Sequence, residues 1–226
     1  INNGAISFRW NEHRAYTSDQ IGTDRWYHVA VIFSGGTPIL YVDGIPVPMQ
    51  YGPNELENPK SISHPFMIGG ANYEHTPERP KNIFHGWIEE VRLWKTAISV
   101  EQLRFMMNQR LTTTTNAQGE TVVKGEVLPM AVPGDLLWSD LVGYYRLQVS
   151  EIDDVMGTTP DIASSSATGY MKNIETLQEN SAPLPYISDQ GGNWWNDVTW
   201  LYPDYWDAPN STGINGDKIN WNIARV

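Results

Sequence analysis

The sequence predicts an all-β protein, an antiparallel sandwich or jelly roll carrying one short helix, with a small Trp-rich β module at the C-terminal end. Three observations carry that prediction. Short apolar runs and period-2 alternations recur between Gly-, Pro- and Asn-rich turns, the signature of strands. Only one stretch shows a helix start signal. Aromatics are abundant, with 10 Trp, 11 Tyr and 5 Phe among 226 residues, and with 40% hydrophobic residues the chain can fill a core and is not of disordered type.

From the N-terminus, Ile6, Phe8 and Trp10 alternate with Ser7 and Arg9, as in a half-buried strand. Trp26 to Phe33 is more uniformly apolar and reads as a central strand, followed by the turn Ser34-Gly35-Gly36-Thr37 and the strand Ile39 to Val42. Asp43-Gly44 between two apolar runs is a type I′ hairpin signal, because both central positions of that turn need positive φ. Ile45-Pro46-Val47-Pro48 resumes as a strand, and its prolines, which lack donors, place it at a sheet edge. Phe66 to Gly69 reads as a short strand between polar loops, and Phe84 to Trp94 as a long one.

Ser99 with Gln102 three residues later forms a capping box, and Leu103, Met106 and Met107 supply an apolar helical stripe running to about Arg110. Thr112 to Thr115 opens a hairpin or loop around Asn116 to Gly119, and Asp140 to Leu147 is again a strand. From Pro183 the composition shifts. Five of the ten tryptophans fall between Trp194 and Trp221, interleaved with Gly, Asn, Asp and Pro. The expected organisation is a sandwich over 1–150, a connecting segment over 151–182 and the start of a Trp-rich β module over 183–226.

Composition narrows function. There is no cysteine, hence no disulfide, thiolate metal site or cysteine nucleophile. The 15 Lys and Arg face 26 Asp and Glu, a formal charge of −11, which argues against nucleic acid as partner. The longest apolar run, Val29 to Phe33, is too short to insert into a membrane.

Two segments carry a resemblance. Trp26-Tyr27-His28-Val29-Ala30-Val31 with Leu40-Tyr41-Val42-Asp43-Gly44 resembles the W-x-H-V-A … L-Y-V-D-G hairpin of laminin-G-like domains. Phe84 to Trp94, followed by Ala97 to Leu103, resembles their F-x-G-x-I-D-E-V-R-I-W … L-S-x-E-Q-I element. The resemblance implies a concanavalin A-like two-sheet jelly roll whose first strands are missing from this chain, so that its sheets would have open edges. It also implies that Leu141 to Leu147, similar to a L-V-G-Y-Y-x-F segment, closes the sandwich after the helix. Gly192 to Trp200, Pro209-Asn210 and Trp221 to Ile223 are similar to modules of large secreted surface proteins of Bacteroidetes type. By that likeness the chain is a segment of a long exported, multidomain cell-surface protein, such as a gliding-motility adhesin.

Chemistry is sparse. A related sandwich carries glucanase activity on alternating carboxylates, but Glu89-Glu90 and Asp153-Asp154 are adjacent, would point to opposite faces of a strand and read as solvated acidic surface. No nucleophile elbow, P-loop, H-E-x-x-H or dinucleotide fingerprint occurs, and the chain is not expected to be an enzyme. His28 is expected to be half-buried with its ring nitrogens hydrogen-bonded. Calcium is the metal that the abundant oxygen donors suit. The resemblance implies a ligand at the position of Glu89, where relatives often carry Asp, and Asp161 is a second candidate. For ligand recognition the loop Asn72-Tyr73-Glu74-His75-Thr76-Pro77-Glu78-Arg79 stands out: aromatic faces stack on sugar rings, and Asn72, Glu74, His75 and Arg79 could hold hydroxyls. The Trp-rich tail could also supply stacking platforms, and Asn210-Ser211-Thr212 is a glycosylation sequon by pattern. The expected function is a non-catalytic module recognising glycan or surface protein, or a stalk unit between neighbouring domains of the same long chain. The alternative is an ancillary carbohydrate-binding module of a secreted polysaccharide-degrading enzyme.

Overall fold

A computed structural model describes residues 4–10, 13–34, 37–51, 66–71, 81–148, 157–164 and 167–226. The protein is mostly β, with antiparallel sheets and one short helix, in keeping with a concanavalin A-like sandwich, and a Trp-rich aromatic cluster lies toward the C-terminus. β1 (Ala5–Trp10), β2 (His13–Gln20), β3 (Val29–Ser34), β4 (Thr37–Val42), β5 (Ile45–Val47) and β6 (Met49–Tyr51) make two three-stranded sheets, in orders β1-β2-β6 and β3-β4-β5. β5 lies at its sheet's edge, where Pro46 leaves no ladder bond unmade. The turn between β4 and β5 has Asp43 at φ 51° and Gly44 at φ 76°, the two positive dihedrals that a type I′ hairpin demands.

The β3-β4-β5 sheet is buried on both faces. Ala30, Ile32 and Tyr41 pack into one core with Leu103 and Met106. Val31, Leu40, Val42 and Val47 pack into a second core with Ile6 of β1. Alternation along each strand explains the partition, since successive side chains leave opposite faces of a sheet. It also explains why these strands read as continuous apolar runs rather than as half-buried ones.

β7 (Val91–Trp94) is much shorter than the Phe84–Trp94 strand expected from sequence. Glu90 sits at φ 57°, a left-handed residue that breaks the extended chain just before Val91. Likewise, Phe66 to Gly69 forms no strand. Gly69 turns at φ 76° and its carbonyl accepts the Phe84 N–H at 2.7 Å.

α1 (Val100–Met106) starts as expected. Ser99 Oγ accepts from Gln102 N at 3.1 Å, and Gln102 Oε1 accepts from Ser99 N at 2.8 Å. The helix ends at Met106 rather than near Arg110 because side chains take its terminal carbonyls. Arg92 Nη1 donates to Met106 O at 2.8 Å, Arg92 Nη2 to Gln109 O at 2.7 Å, and Gln109 Nε2 to Phe105 O at 2.7 Å. These bonds satisfy acceptors that an α-helix leaves open. Ser99→Ala should cost about 1 kcal/mol, read from the midpoint of chemical unfolding; no change in the midpoint would mean that Gln102 alone holds the start.

β8 (Leu111–Thr115) and β9 (Thr121–Gly125) form the hairpin around Asn116 to Gly119. β10 (Leu141–Tyr145) pairs antiparallel with β7, so the strand after the helix closes on the strand before it. Leu141, Tyr144, Val123 and Leu111 complete the first core. β11 (Gly157–Thr159) and β12 (Gly169–Met171) are a short antiparallel pair, while β13 (Tyr186–Ile187) and β14 (Ala224–Arg225) pair in parallel. Among the described residues no helix is long and apolar enough to cross a membrane.

Candidate functional site

The predicted ligand-binding residues Asn72, Tyr73, Glu74, His75 and Arg79 lie outside the described residues, as does Asp153-Asp154. The two candidate metal ligands are described, and each is held in a hydrogen-bond network of its own. Glu89 accepts from the Gln178 side-chain amide and, at 3.1 Å, from Ala182 N. Burial pushes its carboxyl pKa up, against the pull of the Ala182 N–H. Asp161 is 6% exposed, and its Oδ1 accepts from Tyr144 N at 2.9 Å and Ala163 N at 3.0 Å, leaving Oδ2 buried without a hydrogen-bond partner among the described residues. Among the described residues no three His, Asp or Glu side chains gather to hold an ion. The described residues thus place Glu89 and Asp161 in separate hydrogen-bond networks and not in one common ligand set.

The reading of Glu89-Glu90 as solvated surface is overturned. Glu90 has a 9% exposed side chain. It accepts from Arg92 at 2.6 Å and from the Tyr144 hydroxyl at 2.6 Å, with Arg110 Nε 3.7 Å away. The left-handed backbone at Glu90 separates the two carboxylates. One ties the β7–β10 ladder to the helix end, and the other ties the ladder to residues 178–182. His28 is half-buried as expected, but its Nδ1 is buried with no hydrogen-bond partner among the described residues, and burial, reinforced by Arg92, holds its pKa down to about 3.

The tail packs on the sandwich at the Asp43-Gly44 turn. Asp43 Oδ1 accepts from His28 N at 2.9 Å and its Oδ2 lies 3.1 Å from Arg25, which also pairs with Asp207 of the tail at 2.5 Å. Trp221 donates from Nε1 to Asp43 O at 3.1 Å and lies under the Arg104 guanidinium at 3.7 Å, a cation–π contact. Trp26 donates to Asn180 Oδ1 at 2.6 Å and joins the third core, built on Tyr186, Trp200 and Trp206. Trp26 and Trp87, two motif residues of the sandwich, thus line up with Tyr205 of the tail, at ring separations of 6.4 and 5.5 Å along that row.

Beyond that junction the tail carries a cleft of about 430 Å³, lined by residues 188–192 together with Trp194, Thr199, Trp200 and Val226. That volume is in the range of small-molecule sites, about 300–1,000 Å³. Its aromatic part is rigid. Trp194 and Trp200 meet edge to face at 4.9 Å and 84°. Trp194 Nε1 donates to Pro209 O at 3.2 Å, and Trp200 Nε1 to Trp194 O at 3.0 Å. Its polar part hangs on Thr199, whose carbonyl accepts from Asp189 N at 2.9 Å, while Gln190 Nε2 donates to Val198 O at 2.8 Å. Trp200 is 1% exposed and belongs to the core, Trp194 is 37% exposed, and the next residue, Trp195, is 65% exposed. In the sequence this cleft is visible only as Gly191-Gly192-Asn193-Trp194-Trp195. Which tryptophan points outward depends on the indole bonds to Pro209 and Trp194, and those are set by the tail's path.

No curated protein and no solved structure matches this chain. A family profile described as the concanavalin A-like lectin/glucanases superfamily matches residues 1–104, which is somewhat under half of the 226 residues, and stops short of the cleft. Over residues 1–104 the chain is thus similar to the laminin-G-like domains of that superfamily.

Proposed function

We propose that this chain is a non-catalytic binding module of a large exported cell-surface protein, engaging a glycan or a surface protein. The observation that carries the reading is the concanavalin A-like domain over residues 1–104, of a class that commonly mediates binding, joined to a tail that holds exposed aromatics beside polar groups. Two further features support it. Glu89 and Glu90, the adjacent carboxylates a hydrolase reading would use, are engaged in structural hydrogen bonds. The charge of −11 suits a solvated surface rather than a polyanion partner. Calcium forms no part of the proposal, because Glu89 and Asp161 stand in separate networks. The test is a screen of the whole chain against immobilised glycans and against cell-surface protein extracts, with hydrolysis of the same glycans followed in parallel. Reproducible, saturable binding without product release is expected. Turnover of a glycan, or silence in both screens, would overturn the reading in favour of an enzyme or a passive spacer.

A further inference from the structure

We infer that the cleft around Trp194 binds a neutral pyranose unit of a glycan, which rests on reading the chain as a binding module and adds a site and a ligand class. A pyranose ring has an apolar C–H face and a rim of hydroxyls, so its site needs a flat aromatic surface next to groups that both donate and accept hydrogen bonds. The cleft has both. Trp194 presents a partly exposed face whose orientation is already fixed by the Trp200 edge contact and the bond to Pro209, so little ordering cost remains at binding. Trp195 follows directly with 65% of its surface exposed, outside the cleft's own lining. The polar side is the exposed Asp189 carboxylate and the Gln190 amide, whose Nε2 is held by Val198 O while Oε1 stays available.

Charge decides the kind of sugar. Asp189 is the one charged side chain among the lining residues, which include no Lys or Arg, and the whole chain carries −11. A uronate or sulfated sugar would meet repulsion from Asp189 with no cation among the lining residues. Gly191 lines the cleft, and a Cβ there would meet nothing within 4 Å, so a larger side chain can be placed at this point of its wall without a clash.

The test uses the whole chain, titrated with cellohexaose, xylohexaose, laminarihexaose and chitohexaose, and with hexagalacturonate as the anionic probe, by calorimetry and tryptophan fluorescence. At least one neutral hexaose should bind, with hexagalacturonate at least about tenfold weaker. Trp194→Ala and Gly191→Leu should each weaken the neutral ligand by about tenfold or more, the loss of the aromatic stack or of the space itself, with Gly191→Leu leaving the melting temperature unchanged. Equal binding by the parent and both variants would overturn the cleft while leaving the binding-module reading in place. Tighter binding of hexagalacturonate would overturn the charge argument. If no saccharide binds, the sugar assignment fails, and the binding-module reading then depends on the protein arm of its own screen.

Discussion

Gly125→Ala should cost about 3–5 kcal/mol, a large stability loss for one added methyl group. Gly125 ends β9 and pairs with Leu111. A Cβ there would come within 2.6 Å of the Gln109 amide nitrogen. The Gln109 side chain cannot step aside cheaply. It is 0% exposed, its Oε1 accepts from Val127 N at 3.2 Å and Leu128 N at 2.9 Å, and its Nε2 donates to Phe105 O. Displacing it breaks its bonds to two backbone donors and strands a buried amide, a group worth about 1–3 kcal/mol when unsatisfied. Urea unfolding of Gly125→Ala, Gln109→Ala and the double variant measures this. The double variant should be scarcely less stable than Gln109→Ala alone, because the methyl then has nothing to displace. A Gly125→Ala loss below about 0.5 kcal/mol, the size of an ordinary surface change, would show that the loop after β9 yields freely.

Acidification should destabilise the fold through His28. Its pKa is held down to about 3 in the folded protein and lies near 6.5 in an unfolded chain. Between those values the unfolded state binds a proton that the native state does not. Stability therefore falls as pH drops from about 6.5 to about 3, by up to about 1.4 kcal/mol per pH unit, and this group adds no further loss below that. Two carboxyls act in the opposite sense. Burial raises the pKa of Asp43 against the pull of Arg25, and burial also raises that of Glu89. Over the pH interval between their ordinary and raised values the native state takes the proton first, so acidification there favours folding. Unfolding free energies at pH 7 and pH 4, for the parent and for His28→Phe, separate the contributions. The parent should lose stability over that interval more steeply than the variant, and identical profiles would remove His28 as the cause.

Both effects show where local pattern stops being informative. The Asp43-Gly44 hairpin, the Ser99–Gln102 capping box and the Asn116–Gly119 turn are short-range objects, and each was legible because its chemistry lies within four residues. The Trp26–Phe33 run gave its strand from Val29 onward, since burial on both faces leaves an apolar run behind. Phe84 to Trp94 misled for the converse reason. Its apolar residues look extended, yet Glu90 turns left-handed to reach Arg92 and Tyr144, partners two and 54 positions away. Glu90 itself read as surface because nothing in its neighbourhood announces a hydroxyl from β10. The cleft was half legible. The tail's Trp and Gly content suggested stacking, but the separation of Trp200 into the core from Trp194 and Trp195 at the surface needed the path of the chain.

Sequence alone thus determined the class of fold, the hairpin, the helix start and the exclusion of thiol chemistry, all properties of residue type and spacing within a turn or two. Only the tertiary structure decided that the tail docks on the Asp43-Gly44 turn through Trp221, Arg104 and Asp207, that Glu89 and Glu90 serve separate networks, and which indoles remain open. Those outcomes depend on contacts between residues as far as 182 positions apart, as in the Arg25–Asp207 pair, and a contact at that range is fixed by the packing of whole elements, which no local pattern encodes.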